Sequence, residues 1–507
     1  MLALTDGGIA NESTLIGRKI VAIAKVMTKV APFRMIGNLY FVGTKEASSH
    51  LIDTGDGLIL IDTGYEQCAD MIVESMATLG FDIKDVKIIL HSHGHLDHTD
   101  ATAKLLTLAP QAKTYLSFHD IRYIKGFTPD YDICDGDVIK LGNTEIECLF
   151  TPGHTEGSVS FFMDVVEDGQ TYRAAMFGGS GINQLKKDFM NSWKVPYLCR
   201  GLFFDSTERL MKIPVDVMIG NHTWQNHTLE KGEMMKDATV NPFIDPTEWG
   251  AYLKKLHDGL WRVINTEATT KFICYAHRGA SQYFPENTMT SFREGVAMGA
   301  NGIETDVQRT KDGVLVLFHD DTLMRVTGEE GSICDYTYEA LRSFWVKKGD
   351  LQDKIPTLEE FLKEFGEKEL NFAIELKVDG VEKDVVDMVR KYGVETKTII
   401  TSFGFDRLCK VKEYAPLVHV GYLTKDVSDE VVQRTHAAGI DELCPRASLV
   451  TPEAVVAWHR MGFNVRAWGV GNEETMRMLC EAGVDGMTVN PPDVLLRILE
   501  ERNANAQ

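Results

Sequence analysis

At 507 residues the chain exceeds what one hydrophobic core ordinarily organises, so two domains of roughly 200–250 residues are expected. Its 44% hydrophobic and 25% charged residues are ordinary globular composition. A formal net charge of −21 argues against nucleic acid as the main partner, because a phosphate backbone would be repelled; a metal-lined pocket could still accept a small anion.

In chain order, residues 1–34 come first. Apolar Leu15, Ile16, Ile20, Ile23, Val26, Met27 and Val30 predict a helix over about residues 13–30, packed on its own protein. Lys25 and Lys29 interrupt the apolar run, so the segment reads neither as a secretory signal nor as a membrane span. No other stretch is apolar enough to cross a bilayer, and the expected location is the cytoplasm. Nine cysteines without C-x-x-C spacing fit reduced, mostly buried thiols in such a compartment. A homo-oligomer is allowed by this composition and not required by it.

Residues 35–267 alternate strand-like runs with helices. "NLYFVG", "SSHLIDTGDGLILIDTG", "VKIILHSH", "KTYLSF", "TEIECLFTPGH" and "VDVMIGNH" are the clearest strands, and residues 54–57 join two of them as a hairpin. A helical stretch, "PTEWGAYLKKLHDGLWRVIN", leads to a polar junction at 266–271, and the domain boundary is placed near residue 268. From "FICYAHRGA" onward strands and helices alternate to the C-terminus, and the later helices end at glycine in "HAAGI", "HRMGF" and "CEAGV". That pattern over residues 268–507 predicts a TIM (β/α)8 barrel. The link "TKDG" is too short for a helical crossover and predicts a hairpin-like irregularity.

The densest chemistry of the first half is "HSHGHLDHTD" at 91–100, which follows an apolar strand. His93 and His95, two apart on an extended segment, project to one side and can share an ion. Asp97 and His98 approach from another direction, which suggests two ions a few ångströms apart. His154 in "TPGHTEGS" and His222 in "VMIGNHTW", both at strand ends, are the candidates for the remaining ligands.

These residues, over roughly 33–265, resemble the metallo-β-lactamase superfamily, whose H-x-H-x-D-H signature is met by His93, His95, Asp97 and His98. "PFRMIGNLYFVGT", "GHTEGS", "GIN" and "NPFIDPTEWGAYL" are most similar to its third β-lactamase subclass. Where many hydrolases of the superfamily carry a bridging aspartate, this chain has Gly179 or Ser180. The resemblance implies an αββα sandwich with two Zn2+, one on His93, His95 and His154, the other on Asp97, His98 and His222. It also implies hydrolysis by hydroxide generated on zinc, with Asp97 orienting the nucleophile. Ester, lactone, amide and phosphodiester substrates all stay open. His50 is expected to be structural.

In the second half, His277 and Arg278 stand at a strand end. Glu304 and Asp306 share one face of "GIETDVQ", His319 lies in "VLFHDD", and Glu375 and Lys377 share a face of "NFAIELK". Such clusters at the active end of a barrel supply hard oxygen ligands for Ca2+ or Mg2+ from Glu304, Asp306 and Glu375. They also supply proton carriers in His277 and His319, and phosphate-binding charge in Arg278 and Lys377. "AHRG", "PENT", "ETDV", "LFHD", "PTLEE" and "IELK", in this order, resemble the glycerophosphodiester phosphodiesterase family. The resemblance implies one divalent cation, His277 and His319 as acid and base, and release of an alcohol and glycerol 3-phosphate. The partner is then a small phosphodiester, lipid-derived in one version of the reading. "AWGVGN" keeps Trp468 but has Gly469 where the family has threonine, which leaves the alcohol unspecified. A bifunctional hydrolase is the leading expectation. Alternatives are a catalytic barrel with a gating or assembly module in front, or a barrel that binds a phosphodiester without cleaving it.

Overall fold

The computed structural model describes residues 28–505, Glu46 excepted. The helix expected over about 13–30 lies outside the described residues except at its end. There Lys29 pairs antiparallel with Thr44 in place of a helical turn, and a strand, Phe33–Ile36, follows.

Two compact units make up the chain: residues up to Ile182 with Leu202–Gly259, and Asn183–Gly201 with Leu260–Gln507. The polar run 266–271 forms no linker; it is helical through Thr270 as part of Glu248–Thr270. Ala268 is buried there, and Glu267 is buried too, with an ion-pair partner in Arg200. Residues 183–201, contiguous in sequence with the first half, group with the second.

The first unit stacks two sheets. One runs β1 (Phe33–Ile36), β2 (Leu39–Phe41), β3 (His50–Asp53), β4 (Leu58–Ile61), β5 (Val86–Leu90), β6 (Lys113–Tyr115), each beside the next. The other comprises β7 (Val138–Leu141), β8 (Thr144–Phe150), β9 (Val159–Glu167), β10 (Gln170–Met176) and β11 (Val217–Ile219), again in sequential order. Period-two alternation explains the stacking. Ile59, Ile61, Ile88 and Leu90 meet Val159, Phe161, Met163 and Val165 in a core between the sheets. Leu58, Leu60, Val86 and Ile89, one position out of phase, pack with Ile72, Met76 and Leu105 of the helices Cys68–Thr78 and Thr102–Leu108. On the far side Phe162 meets Trp249, and Phe177 meets Phe203. Helices thus cover both outer faces, the αββα sandwich expected. The hairpin at 54–57 forms, closed by Thr54 N–H donating to Gly57 O.

In the second unit eight parallel strands close on themselves: β12 (Ile273–His277), β13 (Gly302–Arg309), β17 (Asn371–Leu376), β18 (Thr398–Ser402), β19 (Val420–Thr424), β20 (Glu442–Pro445), β21 (Asn464–Val470) and β22 (Gly486–Val489). Pairing of β12 with both β13 and β22 completes the barrel. The four-residue link 310–313 makes the expected irregularity, because β14 (Leu315–Leu317) folds back antiparallel on β13. A small ribbon, β15 (Val346–Lys348) and β16 (Leu351–Asp353), follows it. The helices read as ending at Gly439, Gly462 and Gly483 do end there, each glycine at positive φ. At the N-terminal ends of the strands Asp485 is fully enclosed, with Lys187 Nζ at 2.7 Å and His459 Nε2 at 2.7 Å. All nine cysteines are free, and no described helix is long and apolar enough to cross a membrane.

Candidate metal centres

The histidine-rich stretch begins where β5 ends, and the other first-unit candidates follow β8 and β11, so three strand ends bring their loops together. His93, His95 and His154 each offer a ring nitrogen, all within 4.8 Å of one another. The His95 Nδ1 and His154 Nε2 atoms are 3.1 Å apart. Asp97 Oδ2 lies 3.5 Å from His98 Nε2 and 3.7 Å from His222 Nε2. The second expected set therefore converges on the Asp97 carboxylate, and His93 also comes within reach of Asp97 and His98. His222 lies in a parallel stack with the half-exposed Trp224.

Burial drives His93, His95 and His154 toward the neutral form, His95 to about 4 and His154 to about 3, helped for His93 and His154 by neighbouring imidazoles. Neutral imidazoles have lone pairs to give to a metal. His98 differs. Burial opposes its charge, but Asp97 and Asp62 outweigh burial and raise it. Its Nδ1 is 2.8 Å from Asp62 Oδ2, and its buried Nε2 has no hydrogen-bond partner. A buried ring nitrogen aimed at a carboxylate with nothing bound to it fits a metal ligand. No carboxylate from the 179–180 region joins the cluster among the described residues.

Two supporting residues escaped the sequence reading. Asp62, at φ 56°, accepts Ser92 N–H and Ser92 O–H as well as facing His98. Its signal was the "DTG" directly after an apolar strand. Asp120, pushed up to about 7 mainly by burial, accepts Gly94 N–H, Gly157 N–H and Thr155 O–H, joining the two ligand loops. His50, expected to be structural, is buried with its Nε2 2.9 Å from Gly220 O and its Nδ1 without a hydrogen-bond partner.

In the barrel Glu304, Asp306 and Glu375 present carboxylate oxygens within 4.8 Å of one another. Parallel pairing sets Asp306 opposite Glu375, and the period of two puts Glu304 on the same face. His277, at the end of β12, has Nε2 3.9 Å from Glu304 Oε2. Arg278, at φ 56°, is 3.3 Å from Asp306 Oδ2 through Nε, and its Nη1 donates to Glu286 Oε1 at 2.8 Å. Lys377 Nζ is 2.9 Å from Glu375 Oε1 and 3.6 Å from Asp306 Oδ1. His319 Nδ1 lies 2.7 Å from Asp320 Oδ1. Asn287 Nδ2 donates to Asp306 Oδ2 at 2.8 Å. Glu286, Asn287 and Asp320 sit inside recognised motifs, yet only the folded loops reveal their contacts.

Burial, then Asp306 and Glu375, push Glu304 well above the carboxylate range, and burial with Asp306 raises Glu375 to about 7. Asp306 goes the other way: Arg278, His319 and Lys377 outweigh its burial. Three enclosed acids beside two cations cannot all stay ionised at low cost. Asp306 Oδ1 is also buried without a hydrogen-bond partner. An all-oxygen donor set in this condition fits one hard divalent cation. Burial, then Arg278, lowers His277 to about 3. A cavity of about 370 Å3 opens over this cluster and extends to Phe403, Lys425 and Trp468.

Each half of the chain is similar to known proteins. Residues 277–494 match the glycerophosphoryl diester phosphodiesterase family, and residues 42–165 match the metallo-beta-lactamase superfamily. A glycerophosphodiester phosphodiesterase of Caldanaerobacter subterraneus subsp. tengcongensis is 33% identical over 240 residues, covering 46% of this chain and 99% of the relative. One from Bacillus altitudinis is 33% identical over 243 residues, covering 45% of this chain and 98% of the relative. A subclass B3 metallo-beta-lactamase of Bradyrhizobium japonicum aligns with TM-score 0.44 and 26% identity, over 48% of this chain and 97% of that one.

Proposed function

We propose that this chain, a hydrolase that belongs to the glycerophosphoryl diester phosphodiesterase family and carries a metallo-beta-lactamase superfamily domain in its first half, splits glycerophosphodiesters in its barrel to an alcohol and glycerol 3-phosphate. The observation that carries this reading is the grouping of the Glu304, Asp306 and Glu375 carboxylates beside a cavity lined by Glu304, Glu375, His277 and His319. The three carboxylates would hold one Ca2+ or Mg2+, which supplies Lewis-acid charge to the phosphoryl group. Arg278 and Lys377 add fixed positive charge where the phosphate sits. Asp320 engages His319 Nδ1, which leaves Nε2 for proton transfer. The glycerol hydroxyl adjacent to the phosphate attacks phosphorus and expels the alcohol; water then opens the cyclic phosphate to glycerol 3-phosphate. The two histidines divide the proton work: one accepts from the attacking hydroxyl, the other donates to the departing alkoxide.

In the same reading the first unit is a dinuclear zinc hydrolase. His93, His95 and His154 would hold one zinc, Asp97, His98 and His222 the other. Such a pair supplies an acidified water and charge for a developing anion. Asp97 orients that nucleophile. Its substrate is an ester, amide, lactone or phosphodiester.

The test is release of glycerol 3-phosphate from glycerophosphodiesters by the full chain with Mg2+ or Ca2+ added. His277→Ala and His319→Ala should each cost at least about 100-fold in turnover. Binding of the diester with no product would make the barrel a sensor and defeat the proposal.

A further inference from the structure

The barrel cavity has two sides of unlike chemistry. His277, Glu304 and Glu375 belong to the adjacent strands β12, β13 and β17. Phe403, Lys425 and Trp468 come from the ends of β18, β19 and β21, around the barrel mouth from the carboxylates. The Phe403 and Trp468 rings meet edge to face, centroids 5.0 Å apart at 88°. Lys425 Nζ stands 5.7 Å from the Phe403 centroid.

The arginines that line the cavity are ion-paired, Arg278 with Glu286 and the buried Arg466 with Glu442, and nearby Lys377 pairs with Glu375. Among the described residues Lys425 has no ion-pair partner. Of the lysines and arginines that line the cavity it alone has no ion-pair partner, and it is exposed at the rim.

Resting on the phosphodiesterase reading above, the orientation of the substrate follows. The glycerol arm carries the attacking hydroxyl, so it must lie at the carboxylate–histidine side. The alcohol arm then points toward Phe403, Trp468 and Lys425. Two aromatic rings alone would attract a quaternary ammonium by cation–π contact. Here an ammonium of the protein already holds the cation position over Phe403, and a second cation would be repelled. Hydroxyl-rich or anionic alcohols instead gain a hydrogen-bond donor and a favourable charge. We infer that Lys425 selects glycerophosphodiesters of uncharged polyols and anionic alcohols, and disfavours those of choline.

Two unit charges about 5 Å apart in a water-screened mouth repel by a factor of about 4 in binding; inverting one of them changes the ratio by about 16. The full chain with Mg2+ would be assayed against glycerophosphocholine, glycerophosphoinositol and glycerophosphoglycerol. The wild type should favour the inositol and glycerol diesters over the choline diester by about fourfold or more in kcat/KM. K425M should shrink that preference, and K425E should invert it, chiefly through KM. A wild-type preference for choline, or a K425E variant with an unchanged ratio, would overturn the inference while leaving the phosphodiesterase reading intact. Failure to hydrolyse any of the three diesters would overturn both.

Discussion

Asp320 and Arg325 link His319 to Glu286 and Arg278 across the barrel site. Arg325 bonds both Asp320 and Glu286, with Nη2 2.6 Å from Glu286 Oε1, and Glu286 in turn accepts from Arg278. Arg325→Gln should therefore displace both His319 and Arg278. About a tenfold loss of kcat is expected with aliphatic alcohol leaving groups, and a smaller loss with a p-nitrophenyl leaving group, which departs without a proton. Equal losses on the two substrates would reduce Arg325 to a structural part. In the first unit Asp62 faces the ring nitrogen of His98 opposite the one left without a partner. Asp62→Asn should weaken zinc retention by about 10–100-fold in a chelator competition, because it removes the charge that aligns the ring and makes it more basic.

At the scale of elements, two turns and ends decide how well the sites are held. Gly153, at φ 142°, lies just before His154, and a Cβ there would come 2.5 Å from Phe203 Cα. The obstacle is backbone and cannot rotate away. Gly153→Ala should cost about 2 kcal/mol or more in urea unfolding of the first unit and displace His154, lowering zinc content with it. At the opposite end of the barrel strands, Asp485 is buried against Lys187 and His459. Burial alone would raise its pKa, but Lys187 and the hydrogen bond to His459 hold it far below the carboxylate range. A depressed folded pKa contributes stability that is present above the unfolded value of about 4 and lost as pH falls below it. Urea midpoints should therefore drop steeply below about pH 4. Asp485→Asn should cost about 3–5 kcal/mol near neutrality, leaving Lys187 buried and uncompensated, and should flatten that acid slope.

For the whole molecule, the two centres use unlike donors, imidazole-rich in one unit and all-carboxylate in the other. Their metals should be separable. The full chain should bind about two zinc ions, and His95→Ala combined with His154→Ala should lose zinc while glycerol 3-phosphate release stays within about twofold of wild type. Zinc content unchanged in that double variant would refute the ligand assignment.

Much of this architecture is legible before any folding is considered. Strand and helix periods are local, so the alternation beyond residue 272 announces a barrel, and the length of the 310–313 link announces its hairpin. The candidate ligands His93, His95, Asp97 and His98 are legible for the same reason, lying within six positions of one segment. The run 266–271 was misleading because composition does not say which face of a helix is polar; Glu267 is charged yet buried against Arg200. What only the tertiary structure decided is which distant residues meet. Asp62 finds His98 across 36 positions, Lys187 finds Asp485 across 298, and Phe403, Lys425 and Trp468 gather from three strand ends. Such pairs depend on strand register and on closure of the barrel, which are set by packing summed over the whole unit and leave no spacing in the chain to read.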